Sequence, residues 1–407
     1  MKLKFWLFGL LLLTCIQAFA QVTDIHGELN FVPARLIIRP LQDEIQAFKG
    51  NDQQHVIYEL MISNVSTTPI RLRSLQIQGK KCHSHSSKDC KISYHFVVDS
   101  QGLPAIFSPA NEDPLFPHDP LLQPNQNGFL YLMLDFASLK DVPDIIQNFL
   151  EVEVEETPIR VETLSSDPIR IKKSRPIVIS PPLKGKNWLA YGGPSNTSYH
   201  RRSILIINGN TQLSERFAID FIKYGSAGLF NGNELSNQSY YSYGQKILAV
   251  GDGTVIRTLD NIQENIPGIY PSPTTVDNAG GNFVILKLDS NHYAFYAHMI
   301  PGSIRVKKGD RVQTGQVIGL LGNSGNSNAP HLHFQISDRP FAIYPETQPN
   351  ALNAQGIPWV INRFLREDYL PLTTNNYLQL FQEIQILNSH KVKKQIPMEN
   401  QLVSFPD

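Results

Sequence analysis

Apolar and polar residues alternate in short runs along the first half of the chain. Between Val56 and Asn64, apolar side chains recur at every second position, as in a strand with one buried face. Similar runs follow at 92–99, 128–136 and 150–156, with polar, turn-rich segments between them. Many short strands joined by polar turns predict an antiparallel β-sandwich, which we expect over residues 26–180. No cluster of catalytic side chains falls in this region, so we expect an accessory domain.

A proline-rich, cationic segment at 172–188 marks the expected boundary between domains. Beyond it the apolar runs are again short, and no helical spacing of useful length appears before Pro358. We therefore predict an all-β chain in which the sandwich is followed by a second antiparallel β domain at 184–345. Residues 346–407 are predicted to form a polar C-terminal extension.

The first twenty residues are predicted to be a signal peptide rather than part of the fold. A short basic start precedes an apolar stretch, and Ala18 and Ala20 supply the small residues that signal peptidase reads. We expect cleavage after Ala20, export to the periplasm or the extracellular space, and no transmembrane segment in the mature chain. Lipidation at Cys15 is an alternative, which the threonine before that cysteine disfavours.

Charge and cysteine content narrow the possible functions. The chain has 36 Lys and Arg residues and 36 Asp and Glu residues, and a net charge of zero argues against a nucleic-acid-binding protein. After signal cleavage only Cys82 and Cys90 remain, and in an oxidising compartment such a pair predicts one disulfide. A metal site that includes the intervening His83 and His85 is the alternative, although the spacing matches no standard zinc knuckle.

Ionisable residues inside three apolar strands carry the candidate chemistry. In "HLHFQI", His331 and His333 project to one face, while the leucine, phenylalanine and isoleucine project to the other. His298 lies in "YAFYAHM", and Asp220 lies in "RFAIDFI", where an unpaired carboxylate would be costly. Imidazole and carboxylate groups suit zinc, and a catalytic zinc site uses three protein ligands. The alternative for each histidine taken alone is a hydrogen-bonded polar residue of the strand.

The order of these motifs resembles that of the lysostaphin/LytM-type zinc metallopeptidases. The resemblance covers about residues 190–340 and rests on "RFAIDF", "AVGDGTV", "GNFVILKL", "YAFYAHM", "VKKGDRVQTGQVIGLLGNSG" and "PHLHF". That family has a small antiparallel β core and cleaves peptide cross-links of bacterial cell walls. The resemblance therefore implies zinc as the cofactor and peptidoglycan peptides as the substrate. It also implies that Asp220 and His333 are zinc ligands and that His298 and His331 are catalytic imidazoles.

The sequence departs from this family at the third zinc ligand. The family usually has a histidine four residues before the aspartate, but that place holds Arg216, whose guanidinium stays protonated and cannot bind a metal. His200 is the candidate replacement, since a hairpin turning at Asn208-Gly209 would bring it opposite residues 217–220. A slip of one residue in this register would turn the imidazole away.

Two functional hypotheses follow from the sequence. The first is a secreted zinc endopeptidase that hydrolyses peptidoglycan cross-links, with a histidine as general base. The second is a metal-free, degenerate LytM-like module that binds the cell wall or activates a separate amidase. Arg216 favours the second hypothesis, whereas the presence of Asp220 and the three histidines at 298, 331 and 333 favours the first.

Overall fold

The described part of the chain is defined by a computed structural model. It comprises residues 19–23, 29–33, 35–82, 89–110, 112–113, 115–207, 210–271, 275, 278–340, 354–370 and 385–406. The first 18 residues, His83, His85 and Asn208-Gly209 lie outside it, so the signal peptide and the two alternatives at Cys15 and at His83/His85 stay predictions. Within these ranges, no helix has both the length and the apolar character needed to cross a membrane.

The described residues up to Lys172 form β-strands and one short helix. Their bounds are β1 (Phe19–Thr23), β2 (Leu29–Pro33), β3 (Leu36–Pro40), β4 (Glu44–Gln46), β5 (Phe48–Gly50), β6 (Gln53–Asn64), β7 (Ile70–Cys82), β8 (Cys90–Val98), α1 (Leu103–Ile106), β9 (Phe107–Pro109), β10 (Leu121–Leu122), β11 (Asn127–Phe136), β12 (Ile145–Val154), β13 (Arg160–Ser165) and β14 (Ile169–Lys172).

Two larger sheets contain most of these strands. One has the order β10-β7-β12-β14-β4, with β8 added on β7 and β13 on β12, and the other has the order β3-β6-β11-β9, with β5 added on β6. Along β12, buried and partly exposed side chains alternate without interruption, as the sequence pattern predicts for a strand with one buried face. A buried hydrogen bond of 2.8 Å from the Tyr58 hydroxyl to Asn148 Oδ1 joins the two sheets. A disulfide joins Cys82, at the end of β7, to Cys90, at the start of β8.

The second part of the chain adds sixteen strands among the described residues. Their bounds, with those of the second helix, are β15 (Ile177–Ile179), β16 (Gly185–Tyr191), α2 (Tyr199–Arg202), β17 (Leu205–Ile207), β18 (Asn210–Gln212), β19 (Ile219–Lys223), β20 (Lys246–Leu248), β21 (Gly253–Leu259), β22 (Asn282–Lys287), β23 (Tyr293–Met299), β24 (Arg311–Val312), β25 (Val317–Leu320), β26 (Leu332–Ser337), β27 (Trp359–Ile361), β28 (Phe364–Leu370), β29 (Gln385–Val392) and β30 (Gln401–Phe405).

A ten-stranded antiparallel sheet organises this second part. Its order is β24-β21-β22-β23-β26-β19-β16-β30-β28-β29. The strands that carry the candidate site residues, β23, β26 and β19, lie together in the middle of the sheet. The polar C-terminal region supplies β28, β29 and β30, so it is built into the sheet next to β16.

The apolar face of β26 anchors the candidate site in the core. Leu332, Phe334 and Ile336 are fully buried in one large hydrophobic cluster. The Phe334 ring packs against Tyr296 and Trp359, with centroid distances of 5.2 Å and 5.1 Å. Fully burying a side chain of this size contributes about 1.5–3 kcal/mol, so the opposite, polar face of β26 is held in a fixed position.

The chain divides into two compact units, each of which combines three segments that are separated in the sequence. The first comprises the described residues of Met1–Glu44, Tyr58–Leu132 and Pro143–Arg170, and the second those of Ile45–Ile57, Met133–Val142 and Ile171–Asp407. The predicted all-β fold class is confirmed. The predicted limits of the sandwich domain (26–180), the metallopeptidase domain (184–345) and the extension (346–407) stay predictions.

Candidate metal and catalytic site

Asp220 and His333 face each other on neighbouring strands of the ten-stranded sheet. Asp220 on β19 and His333 on β26 are a directly opposed pair in the antiparallel register. Both side chains are buried, and His333 Nδ1 lies 3.0 Å from Asp220 Oδ1. The other ring nitrogen of His333, Nε2, donates to Gln335 Oε1 at 2.9 Å, on the same face of β26. This contact orients the ring so that Nδ1 is the nitrogen that faces Asp220.

His200 joins this pair from a one-turn helix. Ser198 caps α2 by accepting a hydrogen bond from Arg201 N, and His200 follows inside the helix. His200 Nε2 lies 3.4 Å from Asp220 Oδ1, and the ring is 4.7 Å from that of His333. His200 Nδ1 donates to Gly192 O at 2.9 Å, so Nε2 is the nitrogen that faces the carboxylate.

The route by which His200 reaches Asp220 differs from the one predicted. The hairpin exists, since β17 pairs with β18 from Leu205 opposite Gln212 to Ile207 opposite Asn210. However, β19 pairs with β16 and β26, and position 200 lies in α2 rather than on a strand opposite residues 217–220. The expected extension of the hairpin to residue 200 was therefore wrong, because the chain forms the capped helix α2 before the hairpin begins.

His331 and His298 form a second pair beside the first group. His331 Nδ1 donates to Ala329 O at 2.8 Å, and its Nε2 lies 3.3 Å from Asp220 Oδ2. His298 Nδ1 donates to Ser324 O at 2.8 Å, and the rings of His298 and His331 are 4.7 Å apart. His298 has a φ of 64°, a left-handed conformation that is uncommon outside glycine and clusters at functional sites. In both residues the Nδ1 bond leaves Nε2 as the basic atom.

The "GNSGNSN" loop holds His298 through its backbone. Ser324, whose carbonyl oxygen binds His298, donates through Oγ to Met299 O at 2.8 Å. Gly325 has a φ of 77°, and a Cβ at this position would lie 2.2 Å from Gly281 N. Glycine is required at position 325 by the backbone conformation and by the close approach of the loop that contains Gly281.

Burial and neighbouring charges divide the ionisable groups into two classes. Burial opposes ionisation of Asp220, but the charges of His331 and His200 and hydrogen bonds from His200 and His333 outweigh it and hold the pKa well below its usual range. Burial also disfavours protonation of His200, yet Asp220 raises the pKa of this imidazole to about 9. Burial lowers the pKa of both His331 and His298, in the latter case well below the usual value. Burial therefore favours the neutral form of both imidazoles of the second pair.

The donor atoms of His200, Asp220 and His333 fit a metal ion. One ligand atom from each of these buried residues lies within 4.8 Å of the other two. Two imidazole nitrogens and one carboxylate oxygen are the ligand set of a catalytic zinc site, which keeps a further position for water. The proton on His200 would be displaced by such an ion, since only neutral imidazole binds metal.

Arg216 lies away from the strand that carries Asp220. It is buried in a turn at residues 214–217, which ends before β19 begins, and its backbone nitrogen donates to Leu213 O at 3.3 Å. A histidine placed at position 216 would therefore start from a turn and not from the face of β19. The imidazole of His200 lies beside Asp220, with Nε2 3.4 Å from Oδ1.

Sequence reasoning assigned no role to three residues of this site. The Tyr199 hydroxyl donates to Asp220 Oδ2, and its ring lies 4.1 Å from that of His200. Gln335 shares a strand face with His333, so the alternation of β26 contained a signal for it. Glu399 Oε1 accepts a hydrogen bond of 3.2 Å from Gly192 N, 207 residues away in sequence, and burial raises the pKa of this carboxyl to about 7. No local pattern could have predicted that contact.

Comparison with known proteins identifies part of this unit. Residues 238–345 match the model of peptidase family M23, so this part of the chain is an M23 peptidase domain. The chain is 30% identical over 116 residues to the glycyl-glycine endopeptidase ALE-1 of Staphylococcus capitis, a match that covers 28% of this chain and 27% of that protein. It is 33% identical over 93 residues to the peptidoglycan DD-endopeptidase ShyA of Vibrio cholerae, covering 23% and 17% of the two proteins.

Among solved structures, the catalytic domain of lysostaphin from Staphylococcus simulans is similar, with 25% identity and a TM-score of 0.23, covering 42% of this chain and 88% of that one. The chain spans about a quarter or less of the length of the two curated relatives. The family match includes His298, His331 and His333 and begins after His200 and Asp220. The predicted family resemblance is thus confirmed, while the assignment of the third ligand depends on the site geometry alone.

Proposed function

We propose that this chain is a zinc endopeptidase that hydrolyses peptide cross-links of peptidoglycan outside the cytoplasm. The observation that carries the proposal is the convergence of His200, Asp220 and His333, whose ligand atoms lie within 4.8 Å of one another beside a second pair of histidines. When bound there, zinc activates water and polarises a carbonyl group. Peptide hydrolysis as the reaction class is supported by the M23 domain.

The other residues of the site have distinct roles in this proposal. His331 Nε2 and His298 Nε2 hold and transfer the proton, because their Nδ1 atoms are engaged by Ala329 O and Ser324 O. Gln335 and Gly192 orient the two ligand imidazoles through hydrogen bonds to the nitrogens that face away from Asp220. Tyr199 holds Asp220 Oδ2 with its hydroxyl group and thereby limits rotation of the carboxylate.

The substrate assignment is supported by the relatives. ALE-1 is a glycyl-glycine endopeptidase and ShyA is a peptidoglycan DD-endopeptidase. The two names denote different peptide bonds, so the proposal extends to peptidoglycan peptides as a class and not to one cross-link. Export to the periplasm or the extracellular space is part of the same proposal, since that is where such a substrate is found.

Metal analysis of the purified protein tests this proposal. About one zinc ion per chain is expected, together with release of new amino termini from purified peptidoglycan. His200→Ala should lower zinc affinity severely while the fold is retained, because His200 Nε2 lies 3.4 Å from Asp220 Oδ1. Arg216→Ala should keep zinc, because a guanidinium stays protonated and cannot bind a metal. Both variants are to be compared by titration of the metal-free protein and by circular dichroism.

A parent protein that binds no zinc and releases no amino termini would contradict the enzyme. The second hypothesis, a metal-free module that binds the wall or activates an amidase, would then stand in its place. If His200→Ala bound zinc as tightly as the parent, the enzyme could remain, but His200 would be wrong as the third ligand.

A further inference from the structure

We infer that Glu399, in the C-terminal part of the chain, is a positioning residue for the metal centre and acts on His200 through the backbone of Gly192. The inference rests on the proposed zinc site. It adds a residue far outside the M23 match, which ends at residue 345. Glu399 precedes β30, the strand that pairs with β16 in the ten-stranded sheet.

The first link joins Glu399 to Gly192. Glu399 Oε1 accepts a hydrogen bond from Gly192 N at 3.2 Å. Close packing accompanies this bond, because a Cβ on the next residue, Gly193, would lie 3.0 Å from Glu399 N. The loop that follows β16 is therefore held against the C-terminal segment by both a hydrogen bond and steric fit.

The second link joins Gly192 to His200. Gly192 O accepts from His200 Nδ1 at 2.9 Å and from the Ser198 hydroxyl at 2.7 Å, so one carbonyl fixes both the ring and the N-terminus of α2. Gly192 has a φ of 66°, and a Cβ there would lie 2.6 Å from His200 Nδ1. A small movement of Gly192 would therefore change the direction of the imidazole whose Nε2 faces Asp220.

Stability alone does not explain a carboxylate at this position. Glu399 Oε2 is buried and has no hydrogen-bond partner among the described residues. An unsatisfied buried polar atom is a net cost to folding. Residues that orient metal ligands from behind commonly change metal affinity by about 10- to 100-fold when they are removed, which is a role that offsets such a cost.

Three variants separate positioning from general stabilisation. Glu399→Ala removes the acceptor for Gly192 N, and we expect zinc affinity to fall by about 10- to 100-fold. Glu399→Gln keeps an oxygen acceptor, so we expect affinity within about threefold of the parent. Met398→Ala is the matched control, since this neighbouring side chain packs in the hydrophobic core next to Gly50 instead. It should lower the melting temperature and leave zinc affinity unchanged.

The measurements are zinc competition against a chromogenic chelator and the absorption spectrum of the cobalt(II)-substituted protein. The spectrum reports ligand geometry independently of activity and should change in Glu399→Ala only. Unchanged affinity and spectrum in Glu399→Ala would overturn the inference, as would equal weakening by Met398→Ala or by Glu399→Gln. A parent protein that binds no zinc would contradict the proposed function first, and this inference with it. Zinc binding by the parent that is insensitive to residue 399 would contradict the inference alone.

Discussion

At the scale of single residues, His333 is the proposed zinc ligand with contacts on both ring nitrogens. Its Nδ1 faces Asp220 and its Nε2 is engaged by Gln335. We expect His333→Ala to lose zinc and peptide hydrolysis together, because His331, the imidazole next to it on that strand face, is held by Ala329 O and faces the other carboxylate oxygen, Asp220 Oδ2. Metal content after dialysis and an amino-terminus release assay measure both effects.

The control for this substitution is His390→Ala, which removes an exposed histidine paired with Asp368 at the surface. It should keep both zinc and activity. Stoichiometric zinc in His333→Ala would show that the ligand assignment is wrong.

The second pair of histidines should respond in a different way. His331→Ala is expected to keep zinc and to lower turnover by about 100-fold or more, the size of effect expected for a positioned acid or base. His298→Ala should behave similarly, because its pKa is also lowered by burial and its Nε2 is the basic atom. Turnover and zinc content are to be measured on the same preparations. If either variant lost as much metal as His333→Ala, the substituted histidine would be a zinc ligand and its assignment as a base would be wrong.

At the scale of elements, the position of His298 depends on two loops that approach each other closely at Gly325 and Gly281. Gly325→Ala should displace Ser324, whose carbonyl holds His298, because the new Cβ would lie 2.2 Å from Gly281 N. We expect turnover to fall while zinc is retained, since no proposed ligand lies on either loop. Turnover at saturating substrate and the melting temperature should both be measured.

Gly302→Ala is the matched control for Gly325→Ala. Gly302 has a φ of 73°, close to the 77° of Gly325, but a Cβ there would meet nothing within 4 Å. Both substitutions carry the same backbone strain, so any difference between them isolates the contact of the two loops. Equal losses of turnover in the two variants would rule out the role assigned to this contact.

At the scale of the whole chain, the C-terminal segment should be required for folding of the second unit. A chain that ends at residue 345 lacks β30, which pairs with β16, and lacks Trp359, which packs on Phe334 and donates to Phe217 O at 3.1 Å. We expect this truncation to lose cooperative thermal unfolding, as measured by circular dichroism. Trp359→Ala in the full chain should cost about 3–5 kcal/mol in the free energy of unfolding. A truncated chain with the same melting temperature as the parent would show that the C-terminal segment is not required for folding.

The sequence by itself determined the local features of this protein. Alternation in β6 and β12 predicted strands, and the spacing of His331 and His333 placed both on the polar face of β26. These features were accessible because side chains on a strand point to opposite faces with a period of two, whatever the rest of the fold does. The order of the motifs was sufficient to indicate the family.

Only the tertiary structure decided how the site is assembled. His200 reaches Asp220 from a capped helix rather than from the predicted strand. Glu399 meets Gly192 across 207 residues, and the polar C-terminal region enters the sheet beside β16. These contacts could not be predicted locally because they follow from the order of strands in the sheet, and that order is set by packing of the whole core. No window of sequence contains both partners of such a contact, so pattern alone cannot predict it.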